Sequence, residues 1–139
     1  MRAYVAGPLF SESERQWDER INEVLVKAGC DVFLPHRDSD PERRLDPKEI
    51  FSTNLKALEG ADLVVCNLDG ADVDSGTAWE IGYAVARGKS IIGLRTDFRK
   101  SELGLPVNLM VAESVFLVDS LEKLGRAVEA FIENTPDRG

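Results

Sequence analysis

The sequence predicts an α/β fold: a doubly wound, five-stranded parallel sheet with helices on both faces. Three observations carry that prediction. Short apolar runs alternate with amphipathic stretches of helical period along the chain, the pattern of successive βαβ units. One run, Leu63-Val64-Val65-Cys66, is continuously apolar, as expected of a strand covered on both faces. The 139 residues hold no repeat, low-complexity segment or Pro/Gly/Ser linker, so 1–139 reads as a single domain.

The elements follow in order. Residues 2–6 form a short apolar strand closed by Gly7-Pro8, a turn. Ser11 and Glu14 have capping-box spacing, and Trp17, Ile21, Val24, Leu25 and Ala28 then recur at helical spacing up to Gly29. Residues 31–35 read as a second strand, and the polar stretch from His36 to Leu45 as the least regular segment. Asp46-Pro47 opens a second helix with an N-cap and a proline at its first position; Ile50, Phe51, Leu55 and Leu58 form its apolar stripe. After the strand at 63–66, Thr77 to Arg87 reads as a third helix ended by Gly88. Strands at 90–94 and 114–118 follow, and a last helix starts near Asp119-Ser120 with Leu121, Leu124, Val128, Phe131 and Ile132 on one face. Right-handed crossovers between these strands give a flavodoxin-like sandwich, whose ligands sit beyond the carboxyl ends of the strands. That rule selects three loops: 7–11, 67–76 and 95–108.

Composition narrows the function. The protein is 43% hydrophobic and 30% charged, too apolar for disorder and without the long apolar run of a membrane span. Its net charge of −8 argues against a nucleic-acid partner and gives little help to a multiply phosphorylated substrate. Cys30 and Cys66 make neither a disulfide framework nor a metal site, and Cys66 reads as a buried strand thiol. Met1 to Ala6 reaches Gly-Pro too soon for a signal peptide, which leads us to expect a cytoplasmic protein.

The loop 67–76 and its sequel carry the chemistry. Asp69, Asp72, Asp74 and Glu80 fall within 12 positions after a buried strand, with Gly70 and Gly76 allowing tight turns and close ligand approach. Glu80 is expected in the first turn of the following helix, where free N–H groups favour an ionised carboxylate able to attack a sugar carbon. Thr77-x-x-Glu80 also has capping-box spacing, so on pattern alone Glu80 either closes a helix start or carries the reaction. The aspartates are equally at home as turn residues. Without further histidines or a ligand spacing, no metal is expected. Tyr4, near the end of the first strand, reads as a half-buried aromatic whose hydroxyl finds a neighbour. His36, the only histidine, reads as a surface residue of its loop. Ser11 to Arg15 could hold a phosphate at a helix start, but Glu12 and Glu14 oppose that, and capping is the better reading.

Four stretches resemble the nucleoside 2-deoxyribosyltransferase family: Tyr4-Val5-Ala6-Gly7-Pro8-Leu9-Phe10, Asp72 through Ala84, Gly88-Lys89, and Pro106-Val107-Asn108-Leu109-Met110. The resemblance spans nearly the whole chain and implies a flavodoxin-like fold and exchange of the base on a 2′-deoxyribonucleoside. It makes Glu80 the nucleophile, holding a covalent deoxyribosyl intermediate that a second base or water resolves with retention. Tyr4 would orient Glu80, and Asp74 would bind the sugar hydroxyls. Asn108 would reach the 5′-hydroxyl in a neighbouring subunit's site, which makes the protein a homo-oligomer, a dimer or multiple of dimers, with Leu105, Val107, Leu109 and Met110 as contact residues. Gly7, Pro8, Phe10, Asp72, Ser75 and Gly76 would line the substrate. No cofactor is required.

The chain departs from the family pattern at Asn54, where transferases place a base-contacting aspartate; an amide hydrogen-bonds a base but cannot give it a proton. In the sister group, 2′-deoxynucleoside 5′-phosphate N-hydrolases, a small hydroxyl residue within a phosphate pocket replaces Asp74. Here Asp74 would repel a 5′-phosphate, which favours nucleoside over nucleotide, with Arg15 and Ser75 as the residues that could still serve one. The alternatives are an N-glycoside hydrolase using the same glutamate, and a non-catalytic nucleotide sensor. A phosphorylated receiver domain is disfavoured because Ala6-Gly7-Pro8 offers no acid at the end of the first strand.

Overall fold

The computed structural model describes residues 1–136. Its strands β1 (Arg2–Ala6), β2 (Asp31–Phe33), β3 (Leu63–Asn67), β4 (Ser90–Leu94) and β5 (Phe116–Val118) form one parallel sheet in the order β2-β1-β3-β4-β5. The helices are α1 (Glu12–Lys27), α2 (Pro35–Asp38), α3 (Pro47–Gly60), α4 (Ser75–Ala86), α5 (Leu109–Ala112) and α6 (Leu121–Asn134). This strand order is the flavodoxin-like one, and its order reverses beside β1.

Strand alternation assigns the faces. Ala3 and Val5 of β1 join Ile21, Leu25, Leu124 and Val128 under α1 and α6. Tyr4 and Ala6 point the other way, into a second core with Leu58, Val64, Cys66, Ile81 and Ala84 under α3 and α4. Cys66 is fully buried, as its place in an apolar strand predicts. This alternation directs Tyr4, 0% exposed, towards α4 rather than α1.

Several boundaries differ from the sequence expectation. Strand β2 stops at Phe33 instead of residue 35, because Pro35 lacks an N–H and starts α2; the Asp38 carboxylate accepts from the Leu34 N–H at 2.8 Å. Part of the segment expected to be irregular is therefore a short helix. Strand β5 starts at Phe116, since Ser114 still belongs to the turn ending α5, donating to Met110 O and to Val111 O. Helix α4 starts at Ser75, two residues before Thr77. The other caps are those expected: Ser11 with Glu14 and Asp46 with Glu49 each form a complete capping box. Gly88, at φ +68°, ends α4, and the Lys89 ammonium then donates to the carbonyls of Glu59 and Ala61 at 2.7 and 2.8 Å, closing the end of α3.

Candidate active site

Three connections meet at the carboxyl ends of β1, β3 and β4. Gly7, just beyond β1, lies against α1 and β3: a Cβ there would stand 2.8 Å from Asp18 Oδ1 and 2.9 Å from Asn67 Cβ. The Asp18 carboxylate accepts from Asn67 Nδ2 at 3.0 Å, and Asn67 Oδ1 accepts from the Asp69 N–H at 3.1 Å. Asp69 in turn accepts from the backbone N–H groups of Thr96 and Asp97, at 2.7 and 3.0 Å, and from the Thr96 hydroxyl at 2.5 Å. Arg95 is buried and donates to the carbonyls of Leu68, Gly70 and Arg99. Asp69 thus serves to join two loops, while Gly70, at φ +126°, makes the turn between them.

Asp74 is the N-cap of α4; its Oδ2 accepts from the Thr77 N–H and the Thr77 hydroxyl, both at 2.9 Å. This corrects two expectations. Thr77 and Glu80 do not form a capping box, and Glu80 lies in the second turn, six residues past the cap, beyond the free N–H groups of the helix start. Gly76 is an ordinary helical residue, and a Cβ there would meet only Asp74 Oδ2, at 3.4 Å.

The second-turn position carries the Glu80 carboxylate to β1, where the Tyr4 hydroxyl donates a hydrogen bond to Glu80 Oε2. Tyr4 is held by Phe33, stacked at 5.6 Å and 8°. Burial pushes the Glu80 carboxyl up from 4.5 to about 7; the Tyr4 hydrogen bond opposes that rise and the charge of Asp74 adds to it. Burial and then the nearby Glu80 charge also raise the Tyr4 phenol, so it stays a proton-bearing donor. Asp18 is similarly pushed up by burial, from 3.8 to about 7, against the bond from Asn67 and with the charges of Glu14, Glu19 and Asp74 adding.

A cavity of about 450 Å³ opens in front of this pair. Tyr4, Gly7, Asn54, Ser75, Gly76 and Glu80, all residues singled out in the sequence, line it together, with Phe51 and Trp79 among its apolar lining. Other expected residues lie elsewhere. Phe10 is 76% exposed and Pro8 is buried; neither lines the cavity. Asp72 and Asn108 line a separate recess beside Arg95, Lys100 and Ser101. Asn108 caps α5 by accepting from the Met110 N–H at 2.8 Å. His36 is no free surface residue: its ring pairs with Glu19 at 2.9 Å and is largely covered.

Sequence reasoning did not single out Phe51 and Trp79, which line the cavity, or Asp18 and Ser39, which hydrogen-bond Asn67 and Asn54 behind it. Asp18 left a signal, being an acid three residues before Ile21 and seven before Leu25 on the buried helix face. Trp79 and Phe51 left none, since their edge-to-face contact at 5.8 Å is made between different helices.

The nucleoside 2-deoxyribosyltransferase family model matches residues 3–110, a span containing Tyr4, Asn54, Asp74, Glu80 and Asn108. The chain belongs to the nucleoside 2-deoxyribosyltransferase family. Among its relatives in this family is a 2′-deoxynucleoside 5′-phosphate N-hydrolase homologue from Thermofilum pendens, 25% identical over 134 residues, which cover 89% of this chain and 92% of the relative. A conserved protein of Enterococcus faecalis V583 superposes with a TM-score of 0.80 at 26% identity, covering 94% of this chain and 98% of its own. A 2-deoxyribosyltransferase from Bacillus psychrosaccharolyticus shares the fold, with a TM-score of 0.76 at 24% identity over 99% of this chain and 93% of its own. The chain is thus an enzyme of the deoxyribosyltransferase and N-hydrolase family, which acts on nucleosides and nucleobases.

Proposed function

We propose that the protein is a retaining deoxyribosyltransferase in which Glu80 is the nucleophile. The observation that carries this reading is the Glu80 carboxylate, hydrogen-bonded by Tyr4 and open to a cavity of nucleoside scale. A Glu80 oxygen bonds to the anomeric carbon as the bond from that carbon to the base nitrogen breaks. The base leaves with the electron pair and takes a proton from solvent, because Asn54 can hydrogen-bond it but has none to give. A nitrogen of a second base then attacks the same carbon and frees Glu80, so two inversions yield retention.

Asp74 is proposed to serve the sugar hydroxyls while its Oδ2 caps α4, with Ser75, Gly76 and Gly7 against the ring. Asn108 and Asp72 line no part of the Glu80 cavity in their own chain, and Met110 beside Asn108 is 74% exposed. Both features support Asn108 entering the site of a neighbouring copy in a homo-oligomer. The substrate is proposed to be an uncharged nucleoside, since Asp74 opposes a 5′-phosphate and Arg15 is engaged with the Leu9 carbonyl at 3.0 Å.

The relative named as an N-hydrolase favours a second reading, in which water resolves the same intermediate. Product analysis with several 2′-deoxynucleosides and their 5′-monophosphates, with and without a second base, tests both. The exchanged nucleoside is the expected product; release of free sugar and base at a rate indifferent to the added base selects hydrolysis. Glu80→Gln is expected to lower turnover by on the order of a thousandfold or more. Full activity of Glu80→Gln refutes the nucleophile, and binding without turnover in the unchanged protein makes the domain a sensor.

A further inference from the structure

The Glu80 chemistry leaves part of the cavity lining without a role. Phe51 and Trp79 are 51% and 50% exposed, an uncommon placing for two large rings in contact. They are held from behind: Trp79 stacks on Tyr83 at 5.5 Å and 8°, the Tyr83 hydroxyl donates to Glu59, and the Arg87 guanidinium lies 5.9 Å over the Tyr83 ring. Trp79 is thus backed on one face, and because Phe51 meets it at 69° the two rings offer the cavity an apolar corner rather than one plane.

Phe51, Asn54, Leu55 and Leu58 share one face of α3 and line the same cavity. Asn54 Oδ1 accepts the hydroxyl proton of Ser39, which is 7% exposed. Ser39 follows α2, whose turn is clamped by Asp38 on the Leu34 N–H at 2.8 Å and by Arg37 on the Val32 carbonyl at 2.9 Å. With its oxygen so engaged, Asn54 has its amide N–H groups to offer a ligand in the cavity it lines.

We infer that Trp79, Phe51 and Ser39 hold the leaving base: Trp79 stacks on its face with Phe51 against its edge, and Ser39 makes Asn54 a donor to an acceptor atom of the ring. Purine N7 and pyrimidine O2 are acceptors of the required kind. Ser39 is a positioning residue acting through Asn54. The inference rests on the reading of the cavity as a nucleoside site, and its test is one of binding as well as turnover.

The chain has two tryptophans, so a Trp17→Phe variant leaves Trp79 as the sole indole. Titrating it with adenine and with cytosine is expected to quench that indole saturably, and calorimetric titration of the unchanged protein should return the same Kd values. Trp79→Ala is expected to weaken base binding and raise KM by roughly 5- to 150-fold, the worth of base–aromatic stacking, with little change in kcat. Trp79→Phe restores both, which a loss of folding does not. Ser39→Ala frees the Asn54 amide and is expected to weaken the binding of both adenine and cytosine by about fivefold, the worth of one neutral hydrogen bond, while Ser39→Thr, which keeps the hydroxyl, retains that binding. Absence of saturable quenching, or a Trp79→Ala variant that binds bases as before, overturns the stacking role. Unchanged Kd values in Ser39→Ala overturn the role of Ser39. Base binding without cleavage of any nucleoside refutes the transferase reading and leaves this assignment standing.

Discussion

Tyr4→Phe isolates one hydroxyl. The ring stays stacked on Phe33 and fully buried, so the substitution removes the donor to Glu80 Oε2 and little else. That bond is what holds the Glu80 carboxyl down to about 7 against burial and the charge of Asp74. A hydrogen bond to a charged group is worth about 1.5–3 kcal/mol, and about 1.4 kcal/mol moves a pKa by one, so Glu80 should rise to roughly 8–9. As the proposed nucleophile, Glu80 must be ionised, so the acid limb of kcat/KM should move upward by the same amount. At pH 6.5 the variant should be roughly ten- to a hundredfold slower than the unchanged enzyme, and at pH 9.5 within about fivefold of it. Initial rates of deoxynucleoside cleavage from pH 5 to 10 measure this directly. An acid limb that stays near pH 7 in the variant refutes the account of Tyr4 as the stabiliser of ionised Glu80. A loss equal at every pH assigns the hydroxyl to the chemical step instead.

Further expectations concern the frame behind the site. Asp18 has a carboxyl raised from 3.8 to about 7 in the folded state, so folding binds a proton between those values and stability declines as pH rises through them. Asp18→Asn keeps an acceptor for Asn67 and removes that cost: thermal unfolding should show it more stable than the parent at pH 8, by at most about 4 kcal/mol, with no such gain at pH 4. A gain equal at both pH values contradicts the assignment. Gly7→Ala places a methyl 2.8 Å from Asp18 Oδ1 and 2.9 Å from Asn67 Cβ, and should cost about 1–3 kcal/mol in denaturant unfolding. Because Gly7 also lines the cavity, its activity should fall with its stability.

Much of the fold was legible because its signals are local. Ser11 with Glu14 and Asp46 with Glu49 satisfy each other over three residues, so helix starts could be read without tertiary structure. The uniform apolarity of Leu63 to Cys66 reflects two covered faces, a property of one segment. Where two local readings competed, sequence could not arbitrate: Asp74 and Thr77 are both capping residue types, and the choice fell to Asp74, whose carboxylate takes both donors of Thr77. That single shift moves Glu80 out of the first turn and changes what stabilises its charge, from helix N–H groups to the Tyr4 hydroxyl. The end of the cavity proposed to hold the base was illegible for a different reason. Phe51, Trp79, Ser39 and Asn54 meet only through the packing of α3 against α4 and of the 35–39 turn against α3, and no spacing within one segment encodes that. Asp18 lies between these cases, marked by an acid on an apolar helix face but given meaning only by Gly7 and Asn67.

The acidity around Glu80 opposes its ionisation, which poses the question of what such an arrangement gains. Asp74 raises the Glu80 carboxyl, and Asp74 and Asp18 repel each other, so the resting site carries an electrostatic cost. The cost has a use if the reaction develops positive charge. Cleavage of an N-glycosidic bond passes through an oxocarbenium-like transition state, with the charge spread over the anomeric carbon and the ring oxygen. Under the proposed mechanism, a fixed negative field from Asp74 and the attacking Glu80 favours that state over the neutral ground-state nucleoside, and so lowers the barrier rather than merely binding substrate. The tension between the acids is therefore relieved most where the sugar is most cationic. A cation close to Glu80 would lower its pKa and also cancel the field, whereas the neutral Tyr4 hydroxyl stabilises the carboxylate without doing so. On this reasoning a buried tyrosine, and not a lysine or arginine, is the partner that suits the nucleophile of a deoxyribosyl transfer.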